Sequence, residues 1–316
     1  MSLRCLRGGG AAIARTHYSL GSVSKVFARA IFNLLNEEIR PKLMESQAGF
    51  RRGRSLTDHV FVMRQMMEAA KEYDKPLYTA FIDIAKAYDG IPRQALLAVL
   101  RRYGVSDRLC QLITMLYRRT SAKVRVGSEE SDAFDIESGV KQGCILSTLL
   151  FNLYMDFVMR QVIPKLQGKG IEWHVSSKLD PNVRREKGVA HEDVPDGWSS
   201  LLMNHLLYAD DTTLVAATYE DLINMVTILD NEFEVWGLKV SIQKTEIAIY
   251  NALERRRPKF YLRGQHIKEI PSKKSKTFKF LGSLLDFKDG SSIPDMMRRI
   301  GMAQNVVKRL KRSVWR

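Results

Sequence analysis

The chain has 316 residues, enough for one large domain or two small ones. Hydrophobic residues make up 45% and charged residues 27%, the balance of a globular protein rather than of a disordered or fibrous one. A net charge of +15 points to anionic partners, three scattered cysteines give neither a disulfide framework nor a zinc site and suit a reducing compartment, and no apolar run is long enough to span a membrane.

Residues 1–17 carry no assignable pattern. The first 36 residues hold no acid and several arginines, a composition shared with mitochondrial presequences. Ser24 to Leu43 reads as an amphipathic helix interrupted before Pro41. Leu56 to Tyr73 reads as a second, with Phe61, Met63, Met66 and Met67 on its inner side as core residues. After Pro76 comes an apolar strand closed by Asp83. Pro92 suits the first turn of a helix to Tyr103, and Ser106-Asp107 caps the next, to about Arg119. Lys123 to Gly127 and Ala133 to Glu137 alternate as strands. Ser147 caps a strongly apolar helix through Met159, and residues 167–200 predict a long irregular insertion. Leu206 to Tyr208 and Thr212 to Ala217 are short strands, and Tyr219 to Trp236 is helical. His59, His174, His191 and His205 stand outside metal-ligand spacing and belong to surface or core. Helices covering one face of an antiparallel sheet give an α+β fold.

The informative point is the turn between the two short strands. In Tyr208-Ala209-Asp210-Asp211, two adjacent carboxylates project from a hairpin tip, an unfavourable like-charge arrangement that a cation would neutralise. Taken alone, such a pair is most often a solvated turn. Asp83 closes a buried strand and is costly there unless paired; alone it also reads as a helix cap or surface turn. If the two strands are neighbours, Asp83 and Asp210 together would hold two Mg²⁺ ions roughly 3.5–4 Å apart, one activating a 3′-hydroxyl and the other stabilising pyrophosphate.

From about Tyr18 to Leu310 the chain resembles the reverse transcriptase domain of non-LTR (LINE-type) retrotransposons. The motifs that carry the resemblance occur in family order. They are Gln47-Ala-Gly-Phe-Arg-Arg-Gly-Arg-Ser55, Phe81-Ile-Asp-Ile-Ala-Lys-Ala-Tyr-Asp89, Gly139-Val-Lys-Gln-Gly-Cys-Ile-Leu-Ser147 with Leu149-Leu-Phe-Asn152, Tyr208-Ala-Asp-Asp211, Trp236-Gly-Leu with Lys244-Thr-Glu246, and Phe280-Leu-Gly-Ser283. The resemblance implies a right-hand polymerase palm, an antiparallel sheet backed by helices, with fingers and a truncated thumb. It divides the chain into an N-terminal tail (1–17), fingers and palm (18–286) and the start of a thumb (287–316).

The same resemblance implies roles. Asp83, Ile84, Asp210 and Asp211 would hold the metal, two Mg²⁺ ions or Mn²⁺ in their place. Tyr88 would lie under the incoming sugar and exclude a 2′-hydroxyl, where viral RNA-copying polymerases usually carry an Asp. Gln142 and Gly143 would flank the nascent base pair, and Arg51 or Arg54 would contact the triphosphate. Lys244 would protonate pyrophosphate, and Phe280, Leu281 and Gly282 would grip the primer. Ile145 and Thr148 depart from the pattern, standing where many relatives have prolines, so that loop should be less rigid.

Partners would be an RNA template, a DNA primer and dNTPs, without a membrane. Residues 251–316 carry 18 Lys and Arg against 5 Asp and Glu, a stretch suited to the duplex backbone. Localisation would be intracellular, in nucleus or cytoplasm; family-like sequence from Tyr18 disfavours mitochondrial targeting. The expectation is a polymerase core cut from a retroelement. A catalytically silent remnant that only binds nucleic acid is the alternative, and an RNA-dependent RNA polymerase is disfavoured by Tyr88.

Overall fold

The computed structural model describes residues 2–6, 13–17, 22–118, 120–126, 129–176, 198–252, 258–270 and 276–313. Strands β1 (Ser2–Leu6) and β2 (Ile13–His17) pair antiparallel within the segment expected to be a featureless tail. Helix α1 (Ser22–Ile39) buries Ala28, Ile31, Leu35 and Ile39, a stripe spaced by three and four residues, and gives way to a 3-10 turn containing Pro41.

Helix α2 (Leu56–Glu72) starts on a capping box between Ser55 and Asp58. It buries His59, Val60, Met63, Met66 and Met67. Phe61, expected on that inner side, is instead 61% exposed. It follows His59 by two residues, which places it across the helix from the buried stripe.

Next come β3 (Leu77–Ile82), the single turn α3 (Ala87–Gly90), α4 (Arg93–Arg102) and α5 (Asp107–Tyr117). Pro92 is the N-cap of α4 rather than its first helical residue. Strand β4 (Ser121–Val126) pairs with β1, with β5 (Glu129–Glu130) and with β6 (Phe134–Asp135). Helix α6 (Ile145–Val162) begins after Cys144, not at Ser147. Ser147 is buried within its first turn, its hydroxyl 3.0 Å from that of Tyr117. The helix is apolar on all sides because it is surrounded. Its one buried acid, Asp156, accepts from the Met44 amide (2.6 Å), Arg160 Nε (2.7 Å) and the Tyr103 hydroxyl (2.5 Å), which is how a carboxylate survives burial.

The expected irregular insertion contains a hairpin, β7 (Ile171–Ser176) with β8 (Trp198–Met203); the remainder of that expectation, 177–197, lies outside the described residues. Then follow β9 (His205–Tyr208), β10 (Asp211–Ala216), α7 (Tyr219–Val235), β11 (Glu246–Tyr250), and the short β12 (Tyr261–Leu262), β13 (Gln265–His266) and β14 (Lys268–Ile270). The hairpin β15 (Thr277–Phe280) and β16 (Ser283–Asp286) leads to α8 (Ile293–Ser313).

The central sheet runs β14-β11-β3-β10-β9. Its pairings are antiparallel except for β14 beside β11. Alternation decides which residue faces which layer. Tyr78, Ala80, Ile82, Leu207, Leu214, Ala216, Ile247 and Ile249 enter the core shared with α1 and α4 to α7. Leu77, Phe81, Leu206, Val215, Ala248 and Tyr250 face the other way, toward α2 and the β15–β16 hairpin. Both faces of the sheet are therefore covered, not one. The cause is visible in β3, whose six residues are all buried, the mark of a strand with packing on either side.

Candidate active site

The carboxylates meet at one end of the central sheet. Thr212 pairs with Ile82, so Asp83, the next residue beyond β3, stands level with Asp211 at the start of β10. Tyr208 pairs with Asp211, leaving Ala209 and Asp210 as a two-residue turn. Ala209 takes a left-handed conformation (φ 56°), which strains a residue carrying a Cβ.

Asp83 is fixed through its backbone. Its amide donates to the Thr245 hydroxyl (3.3 Å), and its carbonyl accepts from the Ser241 amide (2.8 Å). Ile84, buried and bridged to Val240, offers the site only main-chain atoms. The same loop delivers Lys244, whose ammonium lies 3.3 and 3.4 Å from the two oxygens of Asp83.

Burial pushes the Asp210 carboxyl above its usual range, and the Asp83 charge adds to the rise. Asp211 is pushed up to about 6, by the surrounding protein first and then by Asp210 and Asp83. Oxygen-only donors in mutual repulsion are the donor set of a hard divalent cation, and Lys244 already supplies one positive charge. The residues thus fit a metal by chemistry. Among the described residues no three His, Cys, Asp or Glu side chains are gathered closely enough to form a ready-made metal cluster.

An open cleft of about 500 Å³ lies beside the carboxylates, lined by Tyr88, Gln142, Gly143, Cys144, Ile145 and Thr148. The Tyr88 ring stacks on Phe151 (centroids 4.7 Å apart, planes at 14°), which holds it rigidly at the cleft wall. Burial, with a contribution from Asp210, pushes its hydroxyl up to about 12, so the phenol stays neutral. Gln142 donates to both oxygens of Asp89 (3.3 and 3.4 Å). Gly139 has φ 79° and packs so tightly on Asp89 that a Cβ there would sit 2.7 Å from the Asp89 Cα. The Val140 amide reaches the Tyr88 carbonyl at 2.8 Å, so the Gln142 loop and the Tyr88 turn form one wall. Thr148 ties its own hydroxyl to the Ile145 carbonyl at 2.7 Å, a local brace in the loop expected to be less rigid.

Residues 14–285 match the family described as Reverse transcriptase (RNA-dependent DNA polymerase). The chain belongs to the reverse transcriptase family. It is 29% identical over 145 residues to the Pol polyprotein of a type-1 R2 retrotransposable element of Nasonia vitripennis, covering 46% of this chain and 14% of the relative. A corresponding polyprotein of Popillia japonica is 22% identical over 229 residues, covering 71% of this chain and 33% of the relative. The chain therefore spans a third or less of these curated relatives, and their origin agrees with a non-LTR reverse transcriptase domain. Among solved structures, apo telomerase from Candida tropicalis aligns with a TM-score of 0.51 at 13% identity, covering 84% of this chain and 40% of that one. At that identity the likeness concerns the palm fold alone.

The arginines of this reverse transcriptase domain divide. Arg51 turns inward, its side chain 11% exposed, and donates to the carbonyls of Met44 (2.5 Å) and Gln47 (3.0 Å). A guanidinium held in this way braces its own loop rather than presenting itself to a triphosphate. Arg54 stays 43% exposed and is paired with Glu45. Arg52 is exposed too. Of the two arginines expected at the triphosphate, only Arg54 faces solvent.

Gln47 begins the same motif, and sequence reasoning gave it no role. It is fully buried and bonds both the amide and the carbonyl of Ala209. Its signal was a polar residue heading a motif of arginines and glycines; that it would be buried could not be read from its neighbours. Asn152 was also missed as a contact: its amide donates to the Gly49 carbonyl at 2.6 Å.

Phe280, Leu281, Gly282 and Ser283 form the tight turn of the β15–β16 hairpin, with φ 44° at Leu281 and 84° at Gly282, the type I′ pattern. Phe278 stacks on Phe81 (4.0 Å, 13°), and Phe280 and Phe287 pack on the same ring at 5.2 and 6.0 Å. The hairpin is thereby anchored on β3. Behind it, buried Asp295 of α8 accepts from the Leu284 amide (2.9 Å), Arg298 (2.8 Å) and Arg299 (2.8 Å), with Arg64 of α2 at 3.6 Å. Burial alone would raise this carboxyl, but the arginine and amide donors outweigh it and hold Asp295 well below the carboxylate range.

Proposed function

We propose that this domain catalyses RNA-directed DNA synthesis, adding dNTPs to the 3′-hydroxyl of a primer on an RNA or DNA template. One observation carries the reading: Asp83, Asp210 and Asp211 converge at a sheet end that opens onto the cleft walled by Tyr88 and Gln142. Asp83, Asp210, Asp211 and the Ile84 carbonyl would hold Mg²⁺, two ions in this reading, with Mn²⁺ a substitute. When bound, the metal supplies Lewis-acid stabilisation of the hydroxyl nucleophile and of the leaving pyrophosphate.

The remaining work falls to side chains of the domain. Tyr88, immobilised on Phe151, sets the floor of the sugar site and leaves no room for a 2′-hydroxyl. The Gln142–Gly143 turn brings backbone close to the nascent base pair. Lys244 pairs with Asp83 and would protonate pyrophosphate as it departs. Arg54, on releasing Glu45, offers a guanidinium fork to the triphosphate. The Leu281-Gly282 turn holds the primer end, and the basic segment beyond residue 251 follows the duplex backbone. In this division residues 18–286 are fingers and palm, and 287–316 open the thumb.

The test is primer extension on an RNA template with Mg²⁺. Extension with dNTPs but not NTPs, lost in Asp210→Asn while template-primer binding persists, is the expected result. A folded, primer-bound wild type that extends nothing would make the chain a nucleic-acid-binding remnant instead. Extension that survives Asp210→Asn would show the carboxylates misassigned.

A further inference from the structure

The segment Ser46 to Phe50 lies along the outer edge of β9. The Leu207 amide donates to the Ser46 carbonyl (3.0 Å), and the Ala48 amide donates to the Leu207 carbonyl (2.9 Å), an isolated parallel bridge centred on Gln47. His205 Nε2 adds a contact to the Ser46 hydroxyl at 2.9 Å. A stretch of the arginine-bearing loop thus acts as one more strand beside the catalytic hairpin.

At the centre of this contact the Gln47 side chain closes on the turn that carries the carboxylates. Its Oε1 accepts both the Ala209 amide (2.9 Å) and the Gly49 amide (2.9 Å), and its Nε2 donates to the Ala209 carbonyl (3.4 Å). Ala209 is the left-handed residue of the turn, in a conformation that persists only where surroundings over-determine it. Gly49 completes the fit, since a Cβ there would lie 2.3 Å from the Ala209 nitrogen. Gln47 is completely buried, so it cannot meet nucleotide, primer or template.

We propose that Gln47 is a positioning residue: it holds Ala209 in its strained conformation and so fixes where Asp210 and Asp211 present their carboxylates. The catalytic consequence rests on the polymerase reading given above; the geometric claim does not. Gln47 bonds the main chain on both sides of Ala209, and the residue that follows is Asp210. A relaxed Ala209 would rotate the next peptide and swing Asp210 away from Asp83. Misplacement of this kind by about 1 Å is worth up to about a hundredfold in rate. The loop that supplies Arg51 and Arg54 is also the loop that sets the turn, so the fingers segment and the carboxylates share one mechanical joint.

The experiment uses the full chain and compares wild type with Gln47→Met, which keeps the volume and removes the three bonds. Mn²⁺ affinity is read by electron paramagnetic resonance, alongside melting temperature and, separately, kcat and KM for dNTP. Gln47→Met is expected to bind Mn²⁺ at least about tenfold more weakly and to lose about as much kcat, with KM for dNTP within about threefold of wild type. Asn152→Ala frees the Gly49 carbonyl from α6 and is a second variant, with the same signature at smaller amplitude. Asn251→Ala removes bonds to the carbonyls of Ala70 and Lys75, far from the turn, and is the control for stability alone. It should lower the melting temperature and leave Mn²⁺ affinity unchanged. Wild-type Mn²⁺ affinity in both Gln47→Met and Asn152→Ala, or an equal loss in Asn251→Ala, overturns the assignment. If Gln47→Met loses Mn²⁺ affinity and wild type binds it but extends no primer, the positioning role stands and the polymerase reading falls.

Discussion

At the end of the central sheet, Asp83, Asp210 and Asp211 lie on neighbouring strands with Lys244 beside Asp83, and burial, with the neighbouring acidic charge, leaves Asp210 and Asp211 with raised pKa values. At the joint between the β15–β16 hairpin and α8, Asp295 is also buried, yet Arg298, the Leu284 amide and Arg299 hold it ionised far below the usual range. The same functional group is thus left short of positive charge in one place and oversupplied in another. A carboxylate whose partners are all within the chain is a structural tie. Carboxylates pushed upward by burial and by neighbouring charge cost the fold stability at neutral pH.

Substitutions should separate the two cases by sign. The largest effect belongs to Asp210→Asn, which should lower extension more than about a thousandfold and leave affinity for template-primer within a few-fold, measured by single-turnover kinetics and by filter binding. Asp295→Ala should act on the fold instead, destabilising the domain by about 2–3 kcal/mol in urea unfolding, because it removes the buried acceptor that ties the Leu284 amide, Arg298 and Arg299 together. Asp211→Asn should raise the melting temperature of the metal-free protein at pH 7 by a few degrees while abolishing activity, opposite in sign to the Asp295 variant. A fall in melting temperature there would end the contrast.

The smallest effect concerns pH. Burial, and then neighbouring His59, pushes His205 down to about 4, between contacts to Asn204 and Ser46. The unfolded chain, with a pKa of about 6.5, takes up the proton first. Stability from His205 is therefore complete above about pH 6.5 and is lost as pH falls toward 4. His205→Gln should flatten that part of the stability profile, read from unfolding midpoints across the range.

Much of this arrangement was legible in the sequence where a residue's role is local. The strand closed by Asp83 and the hairpin around Ala209 and Asp210 follow from short patterns of β-formers and turn residues, and the Phe280–Ser283 turn follows from the family resemblance. The errors lie where a neighbour far along the chain decides. Phe61 is the local exception: it is grouped with the methionines of its helix, but its phase puts it outside. Ser147 reads as a cap, but Cys144 ends the turn, and Ser147 instead meets Tyr117, thirty residues earlier. Two-sided cover of the sheet needed the hairpin that begins at Thr277 to be seen against Phe81. Arg51 and Arg54 look alike in sequence; only the carbonyls of Met44 and Gln47 distinguish the internal brace from the solvent-facing arginine.

The stack of Phe278 on Phe81 has a geometric consequence. Phe81 and Asp83 lie two residues apart, so a single extended strand separates them by roughly 7 Å. The ring seats the turn proposed to hold the primer, and the carboxylate is one of those proposed to hold the metal. Both positions are measured from one piece of backbone, bonded on either side by β10 and β11. The strand works as a ruler between the hairpin turn and the carboxylate.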